Sequence, residues 1–164
     1  MKLIKPSFEI IEQQFGESQE EILQNMYKHI ERCGRTCYKS ENKITEDSAK
    51  PFVDRMINSK HLAMLEHGTI YLTIDIPRKA FCKEIVDKYY RNKYTKCNNT
   101  YDEFNYHYYI TTNLRVLIEN GWEEDLQYLC KPTEFHKKRY TVKFISNIQF
   151  YKELTRHKLL ICVA

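Results

Sequence analysis

The pattern of apolar and polar positions is clearest between residues 69 and 76, where it predicts a β-strand. Isoleucine or leucine stands at positions 70, 72, 74 and 76, and the positions between them hold threonine, Tyr71 or Asp75. This alternation is typical of a strand with one buried face, and Pro77 is expected to end it. Weaker alternation predicts two further strands, over residues 3–11 and 140–144.

Apolar residues at helical spacing predict the first two helices. Ser18 and Glu21 have capping-box spacing, and apolar residues at positions 22, 26, 30 and 33 then mark one stripe that Gly34 is expected to end. A second stripe, at positions 52, 53, 56 and 57, predicts a helix that Thr45 or Ser48 caps. The proline at position 51 fits this helix only in its first turn.

The rest of the chain predicts shorter helices and one long loop. Helices are predicted over residues 78–91, 122–130 and 148–160, and between a cap at Thr112 and a stop at Gly121. The polar, Tyr-rich residues 92–107 are predicted to form a loop. Helices and strands intermix without a regular βαβ order. The sequence therefore predicts an α+β fold, with mixed helices around a small, mostly antiparallel sheet.

Length, charge and composition indicate an ordinary compact protein. The 164 residues suit a single domain, 1–164, and the formal charge of +4 only slightly favours anionic ligands. No apolar run is long enough to span a membrane, and the first residues lack the apolar core of a signal peptide. The sequence therefore predicts a cytoplasmic protein with reduced cysteines and with no membrane or nucleic-acid partner.

Tyrosines are concentrated in the middle of the chain, where eight of them lie between Tyr89 and Tyr128. Mixed with lysines and arginines, these rings have the composition of a surface that stacks the bases of single-stranded nucleic acid. No signature of a nucleic-acid-binding fold accompanies them, and Asp87, Asp102 and Glu103 dilute the positive charge. The favoured interpretation is a helical, Tyr-rich insertion over about residues 78–138 with exposed rings.

Two groups of candidate residues lie in the first half of the chain, and each has a structural alternative. Cys33 and Cys37 are four positions apart rather than three, so no metal site is expected. Cys37 is either a thiol that nearby Arg35 activates or an inert core residue. His61 and its neighbours Glu66 and His67 either ligate zinc, for which a further ligand is lacking, or satisfy backbone donors where a strand begins.

A third group stands near the end of the chain. Glu153, Arg156 and His157 have the i, i+3, i+4 spacing that places side chains on one face of a helix. That face either forms solvated ion pairs or holds a flat polar ring together with an anionic group, because arginine offers a planar fork of donors.

Five segments, in this order, resemble the flavin-dependent thymidylate synthase family. They are Cys-Gly-Arg-Thr-Cys-Tyr-Lys-Ser at 33–40, His61-x4-Glu66-His67, Thr-Thr-Asn-Leu-Arg-Val-Leu-Ile at 111–118, Arg-Tyr-Thr-Val-Lys-Phe-Ile at 139–145, and Glu153-x-x-Arg156-His157-Lys158. The last one resembles the family signature, which is Arg-His-Arg followed after seven residues by Ser.

The resemblance implies methylation of dUMP to dTMP, with methylenetetrahydrofolate as carbon donor and NADPH as reductant of a bound FAD. The residues that it places at the flavin are Cys37, His61, Ala63, Glu66, Arg156, His157 and Lys158. It places Glu153 and Arg156 at the nucleotide, so Arg156 would touch both and is the implied catalytic residue. Relatives form homotetramers, and the apolar residues 159–164 also favour a homo-oligomer.

Two departures from the family signature limit these expectations. Lys158 replaces the second arginine and loses its fork of donors, and the signature Ser would fall beyond residue 164. The C-terminal part of the family domain is therefore expected to be missing. The sequence predicts an impaired enzyme that binds FAD weakly. The alternative is a non-catalytic remnant of the family that is oligomeric or binds nucleotides.

Overall fold

A computed structural model describes residues 5–80, 84–147 and 150 of the chain. The described strands are β1 (Ser7–Ile11), β2 (Thr69–Pro77), β3 (Lys96–Tyr101), β4 (Asn105–Asn113) and β5 (Thr141–Ile145). The described α-helices are α1 (Gln19–Cys37), α2 (Ala49–Asn58), α3 (Glu84–Tyr90) and α4 (Leu114–Asn120). Short 3₁₀ helices cover Glu41–Lys43, Leu62–His67 and Glu123–Tyr128.

The strands form two antiparallel sheets, and the α+β prediction is confirmed. The larger sheet has the order β2-β4-β3, and β1 pairs with β5 in a separate two-stranded sheet. The apolar face of β2 is buried as its alternation predicts, and it joins α1, α2 and the 3₁₀ helix Leu62–His67 in one hydrophobic core. The strands predicted over residues 69–76 and 140–144 are thus present as β2 and β5.

Helix α1 begins as predicted but does not end at Gly34. The Ser18 Oγ accepts a hydrogen bond from the backbone N–H of Glu21, and the Glu21 carboxylate accepts one from the backbone N–H of Ser18, which completes the capping box. The helix then continues to Cys37. A Cβ atom on Gly34 would lie 2.5 Å from Cζ of Phe52. Gly34 therefore serves the close approach of α1 to α2 and not the end of a helix.

The prediction of a loop over residues 92–107 is wrong, because this stretch contains β3 and the start of β4. The segment lacks a clear apolar alternation because β3 is mostly polar and Tyr108 and Tyr109 are adjacent in β4, although Tyr108 and Ile110 are buried in the hydrophobic core. The Asp102 carboxylate closes the hairpin by accepting from the backbone N–H groups of Phe104 and Asn105. The Tyr-rich segment therefore combines helix α3 with a β-hairpin, and α3 is shorter than the helix predicted over residues 78–91.

The remaining boundaries follow from local chemistry. Asn113, rather than the predicted Thr112, caps α4, because its Oδ1 accepts from the backbone N–H of Val116 at 3.0 Å. Gly121 ends that helix in the left-handed conformation, with φ of 66°. Residues 122–130 contain a 3₁₀ helix, and the helix predicted over residues 148–160 lies outside the described residues. No helix in the described ranges has the length and apolarity required to cross a membrane.

Candidate functional site

An open cleft of about 450 Å³ forms where the 3₁₀ helix Leu62–His67 meets α4 and the end of α1. We call it the His61 cleft. Its walls are formed by Tyr38, Lys60, His61, Leu62, Ala63, Met64, Arg115 and Glu119. Two of the predicted site residues, His61 and Ala63, are therefore exposed at one concave surface with two cations.

The backbone fixes the position of His61 at the start of the 3₁₀ helix. The His61 N–H donates to the Met56 carbonyl oxygen at 2.9 Å, and the preceding Lys60 adopts a left-handed conformation with φ of 58°. The next turn is anchored by Met64 and Leu65, which are buried in the core. His61 and Lys60 are consequently held at the cleft by two buried neighbours in sequence and by helix α2.

Arg115 connects the cleft to Glu66, another predicted site residue. Its Nη1 donates to Glu66 Oε1 at 2.5 Å, and its Nε donates to Glu119 Oε1 at 2.8 Å. The hydrogen bond to Glu119, followed by the one to Glu66, raises the pKa of Arg115, whereas partial burial acts in the opposite direction. Both carboxylates therefore orient a guanidinium that stays charged at the cleft wall.

Sequence reasoning assigned no role to Arg115, although it lies in the segment 111–118 that resembles the family. The contact with Glu66 joins residues 49 positions apart, so it depends on how α4 docks. A backbone hydrogen bond from Leu114 N–H to the Gly68 carbonyl oxygen, at 2.9 Å, brings the two elements together. The one available signal was a charged residue between apolar neighbours, Leu114 and Val116, which are both buried.

Cys37 lies at the end of α1, half-buried against the hydrophobic core. Burial raises the pKa of its thiol, so the protonated form is favoured at neutral pH and the inert-residue alternative is supported over the activated nucleophile. Its neighbour Tyr38, which is 53% exposed, is the residue that lines the His61 cleft. Burial also raises the pKa of Cys33 to about 12.

His67 is buried and contacts strand β5. Its Nδ1 lies 3.2 Å from Thr141 Oγ1, and His29 Nε2 lies 3.1 Å from the same hydroxyl. Burial lowers the pKa of both histidines to about 4, so both are neutral at pH 7. Across the described ranges no group of three or more histidine, cysteine or acidic side chains has a geometry that could hold a metal ion. The two rings instead tie α1 and the 3₁₀ helix to β5.

Comparison with known proteins identifies the family. A family model described as "Thymidylate synthase complementing protein" matches residues 21–160, which is most of the chain. The chain belongs to this family. The match includes every segment that carried the resemblance, and it supports a function of the thymidylate-synthase type. No curated protein and no solved structure matches the chain significantly.

The predicted site residues divide into two sets, apart from Cys37, which does not line the His61 cleft but precedes Tyr38, which does. His61, Ala63 and Glu66 come together around the His61 cleft, with Glu66 reaching it through Arg115. The signature residues Glu153, Arg156, His157 and Lys158 lie outside the described residues.

Proposed function

We propose that this member of the thymidylate synthase complementing protein family binds FAD partly in the His61 cleft and methylates dUMP to dTMP. Methylenetetrahydrofolate would supply the carbon, and NADPH would supply the reducing equivalents. The residues proposed at the flavin are Cys37, His61, Ala63, Glu66, Arg156, His157 and Lys158, and those at the nucleotide are Glu153 and Arg156. The observation that carries the proposal is the cluster of His61, Ala63 and the Glu66–Arg115 pair at one cleft in a member of this family.

The His61 cleft fits a flat, polar ring system with negative charge nearby. Tyr38 and His61 are exposed and planar, and Lys60 and Arg115 add two cations at the same surface. A volume of about 450 Å³ lies in the lower part of the range of roughly 300–1,000 Å³ for small-molecule sites. The cleft would therefore hold one part of FAD, and the signature residues would hold the rest.

The flavin, when bound, supplies the hydride chemistry, so the protein must bind, orient and polarise. Glu66 and Glu119 fix the direction of the Arg115 guanidinium before any ligand arrives, which reduces the cost of ordering it. Arg156 would offer a planar fork to the nucleotide and the flavin together. His157 and Lys158 would add one donor and one point charge.

We also propose a homotetramer in the cytoplasm. Because the His61 cleft is open to solvent on one side, a second copy of the chain can complete it. The four cysteines in the described ranges, Cys33, Cys37, Cys97 and Cys130, are free thiols, which supports a reducing compartment.

Flavin retention and thymidylate formation test the proposal separately. The purified chain is titrated with FAD at equilibrium, and binding is measured by the change in flavin fluorescence. Tritium release from labelled dUMP, with FAD, NADPH and methylenetetrahydrofolate present, measures turnover. Arg115→Met should weaken FAD binding about tenfold or more, because it removes a charged hydrogen-bond donor.

Arg32→Met is the matched control. Arg32 also pairs with a glutamate, Glu9, but at an exposed position outside the cleft, so FAD binding should not change. Flavin retention without tritium release would favour the non-catalytic alternative. A folded chain that does not bind FAD in the equilibrium titration, or equal FAD affinities in the Arg115 and Arg32 variants, would refute the proposed site.

A further inference from the structure

A second cleft, of about 420 Å³, shares no lining residue with the His61 cleft. We call it the Arg139 cleft. It lies between the segment after β1, the start of β2 and the segment that enters β5. Its lining residues include Glu12, Phe15, Tyr71, Lys138, Arg139 and Tyr140.

The cations of this cleft have donor capacity that the protein does not use. Arg139 Nη1 is buried and has no hydrogen-bond partner among the described residues. Lys138 is exposed and forms no ion pair with another residue of the described ranges. A buried donor without an acceptor is rare in folded proteins, and an ordered water, or a ligand group that displaces it, can supply the acceptor.

The surroundings of Arg139 explain why its charge remains available. Burial lowers the pKa of Arg139, and the negative charge of Glu66 is the main effect that raises it. The Glu66 carboxylate, however, is hydrogen-bonded to Arg115. Arg139 opposes the protonation of His67, whose buried Nε2 also lacks a hydrogen-bond partner among the described residues, so His67 adds no negative charge. Glu12 is the one acid among the lining residues of the cleft, and it is exposed. Positive charge is therefore in excess.

Aromatic rings form the other wall of the cleft. Phe15 and Tyr71 meet edge to face with their centroids 5.6 Å apart, and Tyr140 is 64% exposed. The Gln13 side chain fixes this wall, because it donates to the Thr69 carbonyl oxygen and accepts from the Thr69 N–H. A planar ring can pack against such a wall while its charged group meets the cations.

We propose that the Arg139 cleft binds a small planar ring that carries an oxyanion, with Arg139 and Lys138 holding the oxyanion. Carboxylate and phosphate are the two sources of this chemistry, and both match the fork of an arginine. The site is independent of the flavin proposal, because neither cation of the His61 cleft lines it.

Saturation-transfer NMR with benzoate and with phenyl phosphate tests the proposal on the intact chain. At least one of the two should bind, and the tighter one identifies the oxyanion. Cyclohexanecarboxylate has the charge without the planar ring and should bind at least threefold more weakly than benzoate.

Three variants connect binding to the cleft. Arg139→Gln should weaken binding about tenfold or more, and Lys138→Gln about threefold, because an exposed lysine contributes less than a buried arginine. Lys137→Gln is the matched control, since this lysine is exposed and does not line the cleft. Should Arg139→Gln fail to fold, the comparison of Lys138→Gln with Lys137→Gln still decides. Absence of binding by both probes, or equal effects of the two lysine variants, would overturn the proposal.

Discussion

Replacement of Arg35 by methionine should strongly destabilise the protein, because Arg35 and Glu31 form a buried ion pair within α1. Arg35 Nε donates to Glu31 Oε1 at 2.6 Å, and the two side chains are only 9% and 2% exposed. Ser48 Oγ donates to the other carboxylate oxygen at 2.9 Å, which joins α1 to the start of α2. The variant leaves the Glu31 carboxylate buried with a single hydroxyl donor.

The expected loss can be estimated from the behaviour of buried pairs. Removal of one partner leaves an uncompensated buried charge, which costs about 3–5 kcal/mol. For a domain of this size, each kcal/mol lowers the melting temperature by roughly 2–4 °C, so the transition should fall by about 6–20 °C. Methionine keeps most of the contact with Phe52, whose ring centroid lies 5.1 Å from Arg35 Cζ. Lost packing is therefore a minor part of the effect.

Thermal unfolding followed by circular dichroism measures this shift. Lys50→Met is the matched control, because Lys50 and Asp54 have the same i, i+4 spacing but are 58% and 48% exposed, and no measurable change is expected. Glu31→Leu combined with Arg35→Met should recover most of the loss, since it removes both charges. If Arg35→Met shifts the transition no more than Lys50→Met does, or if the double variant is as unstable as the single one, the reasoning is wrong.

Two further predictions concern the close packing around α1 and the buried histidines. Gly34→Ala should lower the free energy of unfolding by about 1–2 kcal/mol despite the better helix propensity of alanine, because the new Cβ would lie 2.5 Å from Phe52. Urea unfolding measures this loss. In a double-mutant cycle with Phe52→Leu, the double variant should lose less stability than the two single variants added together. Burial lowers the pKa of His29 and His67 from 6.5 to about 4. The free energy of unfolding should therefore be at its full value above pH 6.5 and fall as the pH decreases towards 4, by up to about 3 kcal/mol for each ring. Unfolding curves that do not depend on pH across this range would contradict the burial of neutral rings at Thr141.

The elements that sequence reasoning predicted correctly are those whose own residues determine them. The Ser18 capping box and the apolar alternation of β2 are local signals, and the structure contains both. Gly34 was misread because its role depends on Phe52, a residue on another helix. The β3–β4 hairpin was missed because β3 is mostly polar and adjacent tyrosines in β4 hide the alternation of its core residues, Tyr108 and Ile110.

The candidate site was predictable to a lesser degree. The resemblance pointed to His61, Ala63 and Glu66, which are close in sequence and do share one region of the surface. Arg115 is placed there by the docking of α4, and a single sequence gives no measure of that contact. The Arg139 cleft is built from three separate segments, so its composition emerges only after folding.

The segments that resemble the family combine residues that hold the fold with residues that line a cleft. In the segment 33–40, Gly34 and Arg35 fix α1 against α2, and this places Tyr38 at the wall of the His61 cleft. In the segment 111–118, Asn113 caps α4 and is 2% exposed, and the next turn presents Arg115 to Glu66. A change at a buried position would therefore move the cleft wall as well as lower stability. FAD binding by the Arg35→Met variant, measured below its lowered melting temperature, separates movement of the cleft wall from loss of stability.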